Sequence, residues 1–205
     1  LGTRDVILDA AARVLAEQGL ANATTRQIAK AAGFTEAALY KHFTNKADLL
    51  VAVLRERSPG FAQLARALRG ERGLVADLTA TALAAIDFYR AGFPMLASMF
   101  ADPGTLAAHK EELRQQGAGP HKANEAVAAY LRGQQEAGRL RQDADVRAAA
   151  GLLLGACFQY AFLGHMTTPE REAGDQAPRA GDEEAAAGFV RTLLESLTPP
   201  PSPRP

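Results

Sequence analysis

The amino-acid sequence predicts an all-α protein, with an N-terminal three-helix domain of helix-turn-helix type and a C-terminal antiparallel helical bundle, about nine helices in all. Three observations lead there. Ala and Leu, interspersed with Arg and Glu, are abundant in a 205-residue chain, and no alternating β-branched run marks a strand. Apolar residues recur at helical spacing in one segment after another. Gly, Pro and capping residues punctuate those segments where helices need ends. Hydrophobic residues make up 47% of the chain, enough for a real core.

Residues 3–18 form the first predicted helix. Val6, Ile7, Ala10, Ala11, Val14 and Leu15 lie on one stripe, and Gly19 is placed to cap its end. Residues 24–46 then carry the punctuation of two short helices joined by a tight turn. Thr25 is placed to cap the first, with Ile28, Ala29 and Ala32 on its inner face. Gly33 suits a turn that needs positive φ. Thr35 is placed to cap the second, with Leu39 and Phe43 as inward anchors. This is the layout of a helix-turn-helix, whose second helix enters the DNA major groove. Asn45 caps a fourth helix striped by Leu49, Leu50, Val53 and Leu54, and Ser58-Pro59-Gly60 breaks it. The expected domains are 1–45 for DNA binding and 46–198 for a larger helical part, with 46–57 as the connecting helix.

Helices are predicted over 61–69 and 74–91, followed by a compact apolar segment, Phe93 to Phe100, that opens on Pro94. Asp102-Pro103 starts a helix over 104–116, and another over 121–137 ends at Gly138. Asp145 caps a helix over 146–164 that is apolar almost all round, so both of its faces are expected to be covered by protein. Gly151 and Gly155, one turn apart, would admit a close helix. The richest apolar run, Ala148 to Leu163, is short for a membrane span and contains Gln159, so no membrane partner is expected. Residues 165–181 read as a flexible loop. Asp182 caps a last helix over 182–197, with Phe189, Val190, Leu193, Leu194 and Leu197 on one face. The Pro-rich tail, 199–205, reads as disordered.

The formal net charge is zero, so overall charge does not announce a nucleic-acid binder. Residues 1–57 hold 8 Lys/Arg against 6 Asp/Glu, a weak positive bias. The single cysteine, Cys157, excludes an internal disulfide and fits a reducing cytoplasm. Arg4, Asp5, Asp9 and Arg13 interrupt the first apolar stripe, so no signal peptide is expected. The four histidines fall into no metal-ligand or catalytic spacing, and no Gly-rich phosphate loop follows a strand. No catalytic residue, metal or cofactor is expected, and the chain is not read as an enzyme.

On the second helix of the motif, Thr35, Glu36, Ala37 and Lys41 fall on the side expected to face the groove. Lys41 can donate to guanine or to phosphate, Glu36 can accept from cytosine N4, and Ala37 can meet a thymine methyl. A solvated helix face is the plain alternative. A second constellation is aromatic and sulfur-bearing, gathered in two segments near residues 88–100 and 157–166. Ordinary core is its plain reading. A small core residue is likewise the plain reading of Cys157, and a thiol sensor the sharper one.

Over residues 6–54 the chain resembles the TetR family of bacterial transcriptional regulators. The likeness runs through Ala23-Thr24-Thr25, Ile28-Ala29, Ala32-Gly33, Leu39-Tyr40-Lys41-His42-Phe43 and Asn45-Lys46-Ala47-Asp48-Leu49-Leu50. Ala38 stands where family members often carry Gly, and a helix tolerates it. The resemblance implies that Tyr40, His42 and Lys46 clamp phosphates, with Thr25 and Arg26 also touching the DNA backbone. It implies a pocket for an apolar or amphipathic effector bounded by Phe88, Tyr89, Phe93, Met99, Phe100, Cys157, Phe158 and Phe162. It further implies a homodimer through helices 146–164 and 182–197, acting as a ligand-responsive repressor on a palindromic double-stranded operator. Half-site centres would then lie about 34–36 Å, or a multiple of that, apart. An activator, a regulator controlled by a protein partner, and an enzyme or carrier using the helical cavity are the rival readings.

Overall fold

The structure is a computed structural model, and it describes residues 2–57, 59–101, 103–115, 119–167 and 179–198. Ten helices and no strand occur among the described residues. The N-terminal part comprises α1 (Thr3–Asn22), α2 (Thr25–Ala31), α3 (Glu36–Leu39) and α4 (Lys46–Arg57). These close around one apolar cluster formed by Ile7, Leu8, Ala11 and Val14 of α1, Ile28 and Ala29 of α2, Leu39 and Phe43 at α3, and Leu49 and Ala52 of α4.

The remaining chain forms α5 (Pro59–Ala67), α6 (Leu74–Ala101), α7 (Pro103–Gln115), α8 (His121–Glu136), α9 (Val146–Thr167) and α10 (Asp182–Leu197). The long α6 packs against α5, α9 and α10, and α8 against α9. A second core fills the space between them, built on Leu78, Ile86, Val127, Leu131, Leu153, Leu154, Cys157, Val190 and Leu194. Between the two cores, Leu50 of α4 is buried beside Leu15, Val51 and Leu106 of α7.

Polar pairs fasten these helices. At the foot of α4, Arg57 donates to Asp9 at 2.7 Å and Asp5 at 3.1 Å, and Arg4 makes a two-pronged bond to Glu56 at 2.8 Å. The carboxyl of Asp5 is held below its ordinary range, chiefly by the bond from Arg57. The Arg4 guanidinium also sits 5.4 Å from the centre of the Phe43 ring. At the start of α6, the fully buried Asp77 accepts from the Tyr130 hydroxyl at 2.9 Å and the Arg72 backbone N–H at 3.2 Å. Where α6 meets α10, Arg90 clasps Asp182 at 2.8 and 3.0 Å.

Several expectations need correction. α1 does not stop at residue 18 but continues through Gly19 to Asn22. α6 does not break before Phe93. It runs on through Pro94 to Ala101, because a long apolar helix packed on three others retains enough contact to absorb one missing backbone donor. Asp182 is not the cap of α10; Gly181 holds that position at φ +92°, and the Asp182 carboxylate is drawn inward by Arg90. α9 reaches Thr167, so it is long enough and apolar enough to cross a membrane, and shortness no longer argues against a span. One face of it is built into the core. Its other face is not covered by the described residues: Leu152, Leu163 and Met166 are exposed there, and no described residue lies within 4 Å of the position a Cβ would take on Gly151 or Gly155. Most of the expected loop (168–178) and all of the Pro-rich tail lie outside the described residues.

Candidate nucleic-acid interface

The motif is assembled by local hydrogen bonding that its sequence dictates. Thr24, not Thr25, caps α2. Its hydroxyl accepts from the Gln27 N–H at 3.2 Å, and the Gln27 side chain accepts from the Thr24 N–H at 2.8 Å. This reciprocal pair is the Thr-x-x-Gln capping box, a signal legible in the sequence but read one residue late. Gly33 turns the chain at φ +77°, as expected for a position that disfavours a side chain. Thr35 caps α3 by accepting from the Ala38 N–H at 3.2 Å. α3 itself is one turn, Glu36–Leu39, and continues as tight turns to Phe43, shorter than the pattern suggested. Asn45 caps α4 by accepting from the Asp48 N–H at 2.9 Å, and Asp48 answers by accepting from the Thr44 N–H at 2.8 Å.

With Leu39 and Phe43 buried, the opposite side of this segment faces solvent. Thr35, Ala37, Tyr40, Lys41 and His42 are exposed there, Lys46 is half-buried at the start of α4, and Arg26 and Lys30 are exposed on α2. Tyr40 is 45% exposed, so its hydroxyl-bearing ring is open to solvent on this side. Two of the sequence-predicted contacts behave differently. Thr25 is buried, and its hydroxyl donates to Glu36 Oε1 at 2.5 Å; Glu36 is half-buried. The sequence reading missed Lys30 and also Phe34, a partly exposed ring on the turn.

The aromatic residues assigned to an effector pocket are partly brought together. Tyr89 and Phe93 of α6 meet Phe158 and Phe162 of α9 edge-on, with ring centres 5.2–5.8 Å apart, and Phe88 abuts Tyr89. Cys157 is buried beneath them, and burial pushes its thiol up to about 12. Phe100 is exposed towards the end of α6, and the Met99 side chain lies outside the described residues. A cleft of about 290 Å³ lies elsewhere, against α8, where His121, Asn124, Glu125 and Arg132 face Arg147 of α9. None of the expected pocket residues lines it. Among the described residues, no group of acidic, histidine or cysteine side chains is placed to hold a metal ion.

Two family models match consecutive parts of the chain. The model for bacterial regulatory proteins of the tetR family matches residues 7–53, which hold the motif. That for the C-terminal domain of AefR-like transcriptional repressors matches residues 105–195. The chain belongs to the TetR family. The regulator SrpR of Pseudomonas putida is 49% identical over 55 residues, 27% of this chain and 26% of SrpR. The regulator TtgR, from the same species, is 42% identical over 69 residues, 34% of this chain and 33% of TtgR. The chain thus spans a third or less of these curated relatives in the matched regions. A TetR-family structure from Mesorhizobium loti shares the fold along nearly the whole length, with a TM-score of 0.70 at 18% identity over 96% of this chain and 97% of that one.

Proposed function

We propose that this TetR-family chain is a sequence-specific DNA-binding repressor that acts as a homodimer and responds to a small molecule. The observation that carries the reading is the exposed side of the α3 segment: Thr35, Ala37, Lys41, His42 and Tyr40 face outward together while Leu39 and Phe43 anchor the segment from behind. Lys41 and Ala37 suit base edges, whereas Tyr40, His42, Lys46 and Arg26 suit phosphates. The uncovered face of α9 supports dimerisation. Leu152, Leu163 and Met166 recur there at helical spacing, and Gly151 and Gly155 leave room for a neighbouring backbone. α10 contributes Ala187, Arg191 and Glu195 from its solvent side, since its apolar residues are spent on the chain's own core. A two-fold axis through this face would set the two recognition segments on successive major grooves of a palindromic operator.

The effector part of the reading rests on the aromatic wall of Tyr89, Phe93, Phe158 and Phe162, which offers an apolar, polarisable surface between α6 and α9. α4 is the connection to the DNA side. It is tied to α1 by Arg57 and Arg4 and seated on α7 through Leu50 and Leu106, so a shift of α7 moves the N-terminal helices as a unit. A regulator of this kind works in the cytoplasm and catalyses nothing. Footprinting of the protein across the genome that encodes it tests the proposal. Protected palindromes upstream of genes that are derepressed on deletion are expected; no protection at low salt would overturn it.

A further inference from the structure

The hydroxyls and carboxylate between α2 and α3 form a directed chain. A carboxylate oxygen accepts, so the bond between Thr25 Oγ1 and Glu36 Oε1, 2.5 Å long, is donated by the Thr25 hydroxyl. Having one proton, that hydroxyl is then committed, and its lone pair accepts from the Tyr40 hydroxyl at 3.3 Å. Thr25 is the first residue of α2 and is buried; Glu36 is the first residue of α3; Tyr40 stands at the other end of α3. One side chain of α2 thus holds both ends of the one-turn recognition helix. Such a short helix has almost no hydrogen-bonded structure of its own to keep its direction.

We propose that Glu36 is a positioning residue, which fixes the recognition helix against α2 through the buried Thr25 hydroxyl instead of reading a base. The role rests on the DNA-binding reading above and deepens it. Thr25 accordingly gives no hydroxyl to phosphate. Tyr40 remains free to exchange its long bond to Thr25 for a phosphate oxygen, and that exchange leaves the Thr25–Glu36 bond in place.

The test is selection of binding sequences from a random duplex library by the full-length wild type, Thr25→Val, Thr25→Ser, Glu36→Ala, Glu36→Gln and the Thr25→Val/Glu36→Ala double variant. Affinity for the selected sequence and for random duplex, and the melting temperature, are measured for each. Thr25→Val and Glu36→Ala should each lower the ratio of specific to random affinity by about tenfold, the worth of a hydrogen bond to a charged group. The double variant should be no worse than either single one, and random-duplex affinity should hold. Thr25→Ser and Glu36→Gln keep donor and acceptor and should restore the ratio; they also carry the test if the harsher variants fail to fold. A base-reading Glu36 would instead relax a single position of the selected site and leave Thr25→Val unaffected, which overturns the proposal. Lower melting temperatures at an unchanged ratio, or additive losses in the double variant, overturn it too. If the wild type selects no sequence, the DNA-binding reading falls and this role with it; if only the variants disagree, this role falls alone.

Discussion

Removing the Asp182 carboxylate should be among the most costly single changes at the junction of α6, α9 and α10. Its side chain is 1% exposed and accepts two bonds from Arg90, one from the Arg179 backbone N–H at 2.7 Å and one from the Tyr160 hydroxyl. Arg90 is itself only 16% exposed, so Asp182→Ala strands a buried guanidinium. Breaking a buried pair from one side costs about 3–5 kcal/mol. The low end applies, because Asp87 remains 3.4 Å from Arg90. A loss of about 3 kcal/mol corresponds to a fall of roughly 6–12 °C in melting temperature for a chain of this size. Thermal unfolding followed by circular dichroism measures it, with Arg90→Met/Asp182→Ala as the control. That double variant removes the stranded charge and should recover much of the loss. An Asp182→Ala melt within 2 °C or so of wild type, or a double variant no more stable than the single one, would refute the reasoning. The pH dependence has a fixed sign. Burial alone would raise the Asp182 pKa, but the bonds from Arg90 and Arg179 outweigh it and hold the group below its ordinary value. Its stabilisation is therefore full above the unfolded-state value of about 3.9 and is lost as pH falls through the lower folded value. Asp182→Ala should lack that acid-side loss.

Three further outcomes are expected. Leu152→Arg places a charge on the exposed side of α9; if the proposed dimer forms through that side, the variant should sediment as a monomer where the wild type sediments as a dimer, with the circular dichroism spectrum unchanged. Lys46→Ala should weaken binding to all duplexes alike and flatten the slope of log K against log salt by about one per protomer; an unchanged slope removes Lys46 from the phosphate contacts. Cys157, whose thiol is pushed up to about 12 by burial, should react with a thiol reagent at pH 8 about a thousandfold more slowly in the native protein than in urea, and prompt native labelling would reopen its reading as a sensor.

The helices were legible in the sequence because each carries its own evidence. The stripe of Ile7, Ala10, Ala11 and Val14 is buried, Gly33 has the positive φ its turn requires, and Asn45 and Asp145 accept from the N–H groups of the helices they cap. Ends were less legible where two local rules competed. Thr24 and Thr25 both suit a cap, and only the partner Gln27, three residues on from Thr24, decides between them. Pro94 ordinarily argues for a break, yet α6 continues, because the packing of α9 and α10 that sustains it is not written near Pro94.

What sequence patterns leave open is the angle between helices, since apolar contacts are nearly indifferent to direction. The structure sets those angles with polar pairs that are far apart in the chain. Arg57 and Asp9 are separated by 48 residues, Tyr130 and Asp77 by 53, and Arg90 and Asp182 by 92. Each member reads alone as an ordinary helix-surface charge or hydroxyl. The same holds at smaller scale in the interface: Glu36, as an acid on an exposed-looking helix, invites a role in reading bases, whereas its hydrogen bond to Thr25, 11 residues away, turns it towards the protein. A DNA-binding segment is only as specific as its direction is fixed. In the proposed reading, Thr35, Ala37 and Lys41 therefore depend on the residues around them, and the bond between Thr25 and Glu36 would govern how sharply they read.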